Sequence, residues 1–392
     1  MLNCRQLGSW VLGFGFLTLL QIPALDAGVP LKAQRALQKN NSALSQLAEG
    51  NKERAVQLLT EAHELDPHNV TIRQNLVNLY LNSGLDALEA GQYESAHEDF
   101  TKALEIAPTN FTALNGLGQV HYQKHELEDA KIFWGKALAL KPEDSELSEK
   151  LGQLNQEIKM DSDFRTVKAP HFDIRTEKGV VEEGDHELRR VLNDTYRHTS
   201  QDMQFFTQRT IIVLIYSQEA YHELASTPHW SGGLFDGKIR IPIPDERSGW
   251  PGFEPVIRHE FTHALIWEIT RGACPPWLNE GLAQYEERGG RFSKMPPELL
   301  KLVRENETQV IPMAALNNPF ARWEDLDLIR RGYAKSESLV RYIIQRYGLW
   351  KIHNILALLG KGEPMESAVR KELALELSGL EADWVKAVKR GK

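Results

Sequence analysis

A repeated pattern of small and large apolar residues constrains the first part of this chain more than any other feature. An alanine, a large residue four positions later and a second alanine three positions after that recur along the chain. Such residues share one face of a helix, so the alanines let paired helices approach and the large residue fills the space between them. The copies are Ala55/Leu59/Ala62, Ala96/Phe100/Ala103 and Ala130/Trp134/Ala137, closed by Pro67, Pro108 and Pro142.

The spacing of these copies resembles that of tetratricopeptide repeats. Pro108 and Pro142 are 34 residues apart, which is the tetratricopeptide period. Pro67 and Pro108 are 41 residues apart. The seven extra residues, at about 82–88, equal about two helical turns, so they lengthen a helix without rotating its packing face.

An apolar stripe beyond the third copy predicts a helix that caps the stack. Its members are Leu147, Leu151, Leu154 and Ile158. We therefore expect repeats with a capping helix over residues 28–160, and a concave surface that binds an extended peptide or a partner helix. The alternative is a spacer that only positions the rest of the chain, since groove residues and core residues look alike in a sequence.

A second constraint is the pair His259 and His263, in the sequence His-Glu-Phe-Thr-His. On an α-helix these histidines project from one face and can bind one metal ion, while Glu260 lies about 100° round the helix. A catalytic zinc takes three protein ligands and leaves its fourth position to water. Glu280 is the candidate third ligand, because the sixteen intervening residues allow the helix to end, the chain to turn and a second helix to begin at Pro276.

These residue types predict one zinc ion per chain and hydrolysis of a peptide bond. Zinc lowers the pKa of its bound water from about 15.7 to about 7. Glu260, which is not a ligand, takes the proton as that water attacks a carbonyl carbon. The alternative interpretation is an amphipathic core helix with two incidental histidines.

The two motifs together resemble a known class of enzyme. His-Glu-Phe-Thr-His followed by Trp-Leu-Asn-Glu-Gly-Leu-Ala-Gln-Tyr is similar to the gluzincin metallopeptidases, and the second element is similar to that of aminopeptidase N-type enzymes. The second histidine and the glutamate are two residues closer than in those aminopeptidases, and their Gly-x-Met-Glu-Asn segment is missing from this sequence. The nearer resemblance is to the bacterial peptidase MA-like domain, often found behind tetratricopeptide repeats, over about residues 168–350.

This resemblance implies a peptidase in which His259, His263 and Glu280 bind zinc and Glu260 is the catalytic base. Gluzincins also carry a tyrosine after the glutamate helix. By that likeness Tyr333, in Gly-Tyr-Ala-Lys-Ser, is the candidate hydrogen-bond donor to the oxyanion.

The first residues, 1–27, are expected to be an export leader. Arg5 precedes an apolar run of thirteen residues, 10–22, and Ala27 is the small residue that a signal peptidase needs. Because the run is shorter than the ~20 residues of a spanning helix, we expect no stable membrane span after cleavage, with an uncleaved anchor as the alternative. The protein is then periplasmic or secreted in a bacterial envelope. A net charge of −8 argues against nucleic acid as a partner, because neutralising phosphates requires a basic surface.

The predicted fold class is α and α+β. A helical solenoid of repeats precedes a linker, 161–169, and a gluzincin-like domain, 170–392, with a small mixed sheet and a helical C-terminal part. Within this domain Lys238–Ile243 alternates isoleucines with polar residues and prolines, which predicts an edge strand that an extended substrate can join. A border strand that binds no substrate is the alternative.

The function predicted from these features is that of an exported zinc-dependent endopeptidase whose repeats recruit protein substrates or partners. One alternative is a repeat-based interaction protein with an inactive peptidase-like domain. Another is an aminopeptidase, which needs an acidic residue, such as Glu254 or Glu219, to bind the substrate amine. His229 and Trp230 are weaker candidates for the cleft, and Tyr285 is expected to pack or support rather than donate.

Overall fold

The computed structural model describes residues 19–20, 30–177, 185–225, 233–243, 249–292, 294, 301, 311–317 and 325–390. This part of the chain contains sixteen α-helices, five strands and one 3-10 turn. It divides into two compact units, with the boundary between Ile158 and Lys159. Apart from residues 19–20, the predicted leader lies outside the described residues, as do His229 and Trp230.

The first unit is a series of helices in which the predicted pattern forms the core. Phe100 and Trp134 are fully buried, and a Cβ added at Gly116 would come within 2.5 Å of the Phe100 ring. The small residues therefore let the helices approach, as predicted. The helices are α1 (Leu31–Ala48), α2 (Lys52–Leu65), α3 (Val70–Glu89), α4 (Tyr93–Ile106), α5 (Phe111–Gln123), α6 (Leu127–Leu140) and α7 (Ser145–Asp161).

The turn after each closing proline also starts the next helix. Asn69 Oδ1 accepts a hydrogen bond from the Ile72 amide and Asn110 Oδ1 accepts one from the Ala113 amide, so each side chain caps a helix. Helix α3 has 20 residues against 13 in the equivalent α5, which confirms that the inserted residues lengthen a helix. Leu147 and Leu154, two members of the apolar stripe on α7, are buried, as expected of a helix that covers the end of the repeat stack.

The second unit contains a five-stranded sheet in the order β1-β2-β3-β5-β4. The β2–β3 and β3–β5 pairs are parallel, and the β1–β2 and β4–β5 pairs are antiparallel. Both faces of the central β3 are buried, because its residues enter two different apolar clusters. The strands are β1 (Phe164–Ala169), β2 (Phe172–Glu177), β3 (Ile211–Tyr216), β4 (Leu234–Phe235) and β5 (Ile239–Pro242).

Residues 164–169, predicted as part of a linker, are the strand β1. They form a hairpin with β2, with Val167 opposite Ile174, and Val167 is buried. The turn between the strands is made by Pro170 and His171, whose φ is +65°. The prediction was wrong because the sequence at the turn, Pro170 and His171, resembles that of an interdomain segment. In the structure this turn closes a hairpin.

The prediction that β5 is an edge strand is also wrong, because β4 pairs with it and lies outside it in the sheet. Leu234 is registered with Arg240 and Phe235 with Ile239, so the edge in this region is β4. The polar residues of β5 are buried as well: Arg240 Nε donates to Asp236 Oδ2 at 2.9 Å, and Arg240 Nη1 donates to the Tyr216 hydroxyl at 2.6 Å. These partners satisfy the arginine inside the protein.

Helices surround the sheet and form the rest of the unit. Phe261 and Leu265 of one helix join Ile174 and Val213 of the sheet in a common core. Together the two units confirm the predicted fold class. The helices are α8 (Asp185–Met203), α9 (Gln218–Ala225), α10 (Gly249–Thr270), α11 (Pro276–Glu287), α12 (Met313–Leu316), α13 (Leu326–Tyr347), α14 (Leu349–Gly360), α15 (Met365–Leu373) and α16 (Leu377–Lys389).

The second unit has its own core, so we expect a fragment of residues 159–392 to fold alone. The fragment should be soluble, bind zinc and unfold in one cooperative transition by circular dichroism. An insoluble fragment, under conditions in which the whole chain is soluble, would contradict independent folding.

Candidate metal centre

Helix α10 brings the two predicted histidines together. It begins at Gly249 and ends at Thr270. Because His259 and His263 are one turn apart, their rings meet edge to face with centroids 4.7 Å apart, and their Nε2 atoms are 3.1 Å apart. His263 is buried and His259 is half-buried. One side of this helix therefore presents two nitrogen atoms to a single point.

Helix α11 brings Glu280 to the same point. The chain leaves α10 through Arg271 and Gly272, both with positive φ, and Pro276 is the first residue of α11. Glu280 Oε2 lies 3.7 Å from His259 Nε2 and 3.6 Å from His263 Nε2. This oxygen is buried and has no hydrogen-bond partner among the described residues. The structure thus brings together the three residues predicted as metal ligands.

The outer nitrogen of each histidine is held by a second residue. His259 Nδ1 donates to Glu287 Oε2 at 2.8 Å, and His263 Nδ1 donates to Asn279 Oδ1 at 3.1 Å. With each Nδ1 protonated, the lone pair of each neutral imidazole is on Nε2. Such outer partners orient metal-binding histidines and select their tautomer.

The donor set fits a zinc ion. Two ligand atoms at about 2.0–2.1 Å from one zinc, at a tetrahedral angle, are about 3.3 Å apart, and the three separations here are 3.1, 3.6 and 3.7 Å. The unpartnered oxygen of Glu280 and the two Nε2 atoms converge on one point. Two imidazoles and one carboxylate are also the ligand types of catalytic zinc.

The electrostatics of the site favour a bound cation. Burial raises the pKa of Glu280 to about 7. Burial also raises the pKa of Glu260, to about 8, because its effect and that of the carboxylates of Glu280 and Glu287 outweigh the opposite effect of His259. Burial lowers the pKa of His259, but the nearby carboxylates of Glu287 and Glu260 reverse this and raise it to about 9. Metal ligands must lose their protons, so a metal ion bound at neutral pH would displace the proton of His259.

Glu260 lies near the ligands but is not one of their group. It is 5% exposed, and the ligand group formed by His259, His263 and Glu280 does not include it. Its charge nevertheless influences His259, so it is within electrostatic range of the site. This is the placement expected of a base that acts next to the metal without binding it.

Tyr333 is brought to the site by α13, which packs against α11. Burial, followed by the carboxylates of Glu280 and Glu260, raises the pKa of Tyr333 well above its ordinary value. The phenol therefore stays protonated at neutral pH and can act as a donor.

Two features fix α13 against α11. A Cβ on Gly281 would stand 2.5 Å from the Ser336 carbonyl oxygen, so the glycine after Glu280 is what permits this close approach. The buried carboxylate of Glu337 accepts from Nε of Arg288, the residue that follows α11, at 3.0 Å and from Arg341 Nε of α13 at 2.9 Å. The packing of α13 against α11 therefore fixes the position of Tyr333 relative to Glu280.

Sequence reasoning missed Glu287, although a signal existed. Glu287 is seven residues after Glu280, which places both on one face of α11. Tyr285 is buried, with the Arg341 guanidinium 4.9 Å from its ring, which agrees with its predicted packing role.

A second group of possible ligands lies in the repeat unit, where His121, Glu126 and Asp129 have ligand atoms within 4.8 Å of one another. Lys124 Nζ is 3.1 Å from Glu126 Oε1, so an ammonium already neutralises this carboxylate. His121 Nδ1 lies 2.6 Å from the other oxygen of Glu126. Both oxygens of the Glu126 carboxylate are therefore engaged by these neighbours, and the group is a weaker metal candidate than the centre on α10.

The chain matches two family models. Residues 197–390, which contain the whole candidate centre, match the Peptidase MA superfamily, and residues 46–86 and 87–154 match the tetratricopeptide repeat. No curated protein matches the chain.

Two solved structures are similar to the repeat region. The first TPR of Spaghetti (RPAP3) bound to the HSP90 peptide SRMEEVD is 20% identical, covers 34% of this chain and 99% of its own, and has a TM-score of 0.24. The first TPR domain of human RPAP3 is 20% identical, covers 32% of this chain and 94% of its own, and has a TM-score of 0.23.

We expect the purified protein to hold one zinc per chain, measured by plasma emission spectrometry. His263→Ala removes a ligand and should lose most of the metal, whereas the matched control His121→Ala, in the repeat unit, should keep it. Glu287→Gln keeps the size of the side chain but removes its charge, and should weaken zinc binding by about 10–100-fold. Full zinc occupancy in His263→Ala would contradict the assignment.

Proposed function

Because the chain joins a Peptidase MA superfamily domain to tetratricopeptide repeats, we propose that it is an exported zinc-dependent endopeptidase. Its repeats recruit protein substrates or partners. The observation that carries the proposal is the convergence of His259, His263 and Glu280, with Glu260 beside them.

The proposed reaction is hydrolysis of a peptide bond. A zinc ion held by His259, His263 and Glu280 would act as a Lewis acid that polarises the scissile carbonyl and acidifies the attacking water. Glu260 takes the proton of that water and delivers it to the leaving amine. Tyr333 donates a hydrogen bond to the carbonyl oxygen as it becomes an anion, a charge that is largest in the transition state.

The surroundings of the candidate amine-binding residues favour endopeptidase over aminopeptidase action. Arg258 Nη2 pairs with Glu254 one turn earlier on α10, so this carboxylate is already neutralised. Glu219 is an exposed residue of α9. An aminopeptidase needs a carboxylate that is open to the substrate amine inside the cleft, and neither residue supplies one.

The contacts of one buried asparagine support the recruiting role of the repeats. Asn75 Oδ1 accepts from the Leu20 amide at 2.7 Å, and Asn75 Nδ2 donates to the Leu20 carbonyl at 2.7 Å. Asn40 Oδ1 accepts from Asn75 Nδ2 at 2.9 Å and orients it. Because the amide binds both backbone groups of one residue, the same contact can hold an extended peptide of any sequence.

Export is proposed from residues 1–27 alone. Their charged start, short apolar run and small residue at the end are typical of a cleaved leader. Among the helices that the structure describes, none combines the length and the hydropathy needed to cross a bilayer.

The decisive test of the proposed function is Glu260→Gln. The amide cannot accept a proton, so hydrolysis of fluorescein-labelled casein should fall by about 10²–10⁴-fold. The zinc content should stay at one per chain, because Glu260 is not among the ligands. Wild-type activity in this variant would overturn the mechanism, and a zinc-loaded wild type that cleaves neither casein nor a peptide library would favour the inactive interaction protein.

Tyr333→Phe tests the proposed oxyanion donor. The change removes one hydroxyl and keeps the ring, so packing between α11 and α13 should survive. The kcat should fall by about 10² or more, while KM for a quenched fluorescent peptide changes little, because the ground-state carbonyl gains less from the same donor. An unchanged kcat with zinc retained would show that another group holds the oxyanion.

A further inference from the structure

Gly233 lies against the side chain of Glu260, although 27 positions separate them in the chain. A Cβ built on Gly233 would stand 2.7 Å from Glu260 Oε1, 2.8 Å from Cγ and 3.0 Å from Cδ. Real Cβ atoms essentially never come closer than 3.0 Å to such neighbours. The space that any other residue would fill at position 233 is therefore already taken by Glu260.

Space, and not backbone conformation, is what requires glycine here. The φ of Gly233 is outside the left-handed region, in contrast to Gly237 at +102° and Gly272 at +75°. An alanine at position 233 would therefore meet no backbone strain. The three nearest atoms that its Cβ would meet among the described residues all belong to the side chain of Glu260.

Glu260 has little freedom to move aside. Its contact with position 233 involves Cγ as well as the carboxylate, so relief would require rotation of the whole side chain. The next residue of α10, Phe261, is fully buried in the core with Leu265, which fixes the helix. On the other side of the contact, Gly233 leads directly into β4, which is paired with β5. Both partners are held by the fold.

We propose that Gly233 is the positioning residue for the catalytic base. Its missing side chain leaves the space in which Glu260 can hold its carboxylate beside the histidine pair. The inference rests on the proposed function, since it concerns the placement of the group that takes the proton. It also identifies β4, and not β5, as the strand that holds the residue positioning Glu260.

The contact itself is tested by a double-mutant cycle in thermal stability, which does not depend on activity. In the zinc-loaded full chain, Gly233→Ala should lower Tm by about 3 °C or more, because the added methyl group overpacks the contact with Glu260. In a Glu260→Ala background the obstacle is gone, and the same change should leave Tm unchanged or raise it. If Gly233→Ala fails to fold while the double variant Gly233→Ala/Glu260→Ala folds, that result would equally support the contact.

The role in catalysis is tested by kinetics. Gly233→Ala should lower kcat for a quenched fluorescent peptide by about 10² or more, the lower end of the loss for a general base. Zinc content should stay at one per chain and KM should change little, because neither the ligands nor the substrate contacts are altered. The matched control is Gly152→Ala in α7, where an added Cβ meets nothing within 4 Å, and it should leave kcat unchanged.

The possible failures separate the two proposals. If Gly233→Ala lowers Tm equally in both backgrounds, or in neither, the contact with Glu260 is not what excludes a side chain and the inference is wrong. If Glu260→Gln is inactive while Gly233→Ala keeps full kcat, the inference fails and the proposed function stands. If Glu260→Gln is fully active, the proposed function fails, and the thermal cycle still decides whether Gly233 sets the position of Glu260.

Discussion

The crowding of three carboxylates beside two imidazoles is the constraint on which the candidate metal centre depends. Glu260, Glu280 and Glu287 all act on His259, and burial raises the pKa of the first two toward or above neutrality. Buried like charges are costly unless they are protonated or compensated by a cation. The Nε2 atoms of His259 and His263 and Oε2 of Glu280 converge where such a cation could bind, so a bound metal would also stabilise this region.

The parts of the site that sequence could predict are those fixed by local geometry. His259 and His263 share a face of α10 through helix periodicity alone, and Pro276 marks the start of α11. The repeats were equally readable, because each closing proline is followed by a capping residue and each large core residue lies between alanines. Tyr333 could be named only by resemblance, since its approach to Glu280 depends on how α13 packs.

The remaining parts depend on pairing between distant segments. Strand β4 has only two residues, too few to show alternation, so the sequence pattern predicts β5 as the edge. Strand β1 follows a polar helix and precedes a tight turn, which together resemble a linker. The contact of Gly233 with Glu260 joins a sheet edge to a helix, and no periodicity in the chain connects the two. Helix periodicity could have placed Glu287 on the same face as Glu280. Its role becomes clear only from the structure, where it accepts a hydrogen bond from His259 Nδ1.

The two histidines are supported unequally, and the difference has a chemical reason. His259 Nδ1 bonds to the carboxylate of Glu287, whereas His263 Nδ1 bonds to the neutral amide of Asn279. A doubly charged cation would then be balanced by Glu280 and Glu287, which leaves the negative charge of Glu260 as the surplus in the site. A further carboxylate at position 279 would raise the pKa of Glu260 again and favour its protonated form, which cannot take a proton. The amide at this position therefore orients His263, the proposed ligand, without adding the charge that would disable Glu260 as the proposed base.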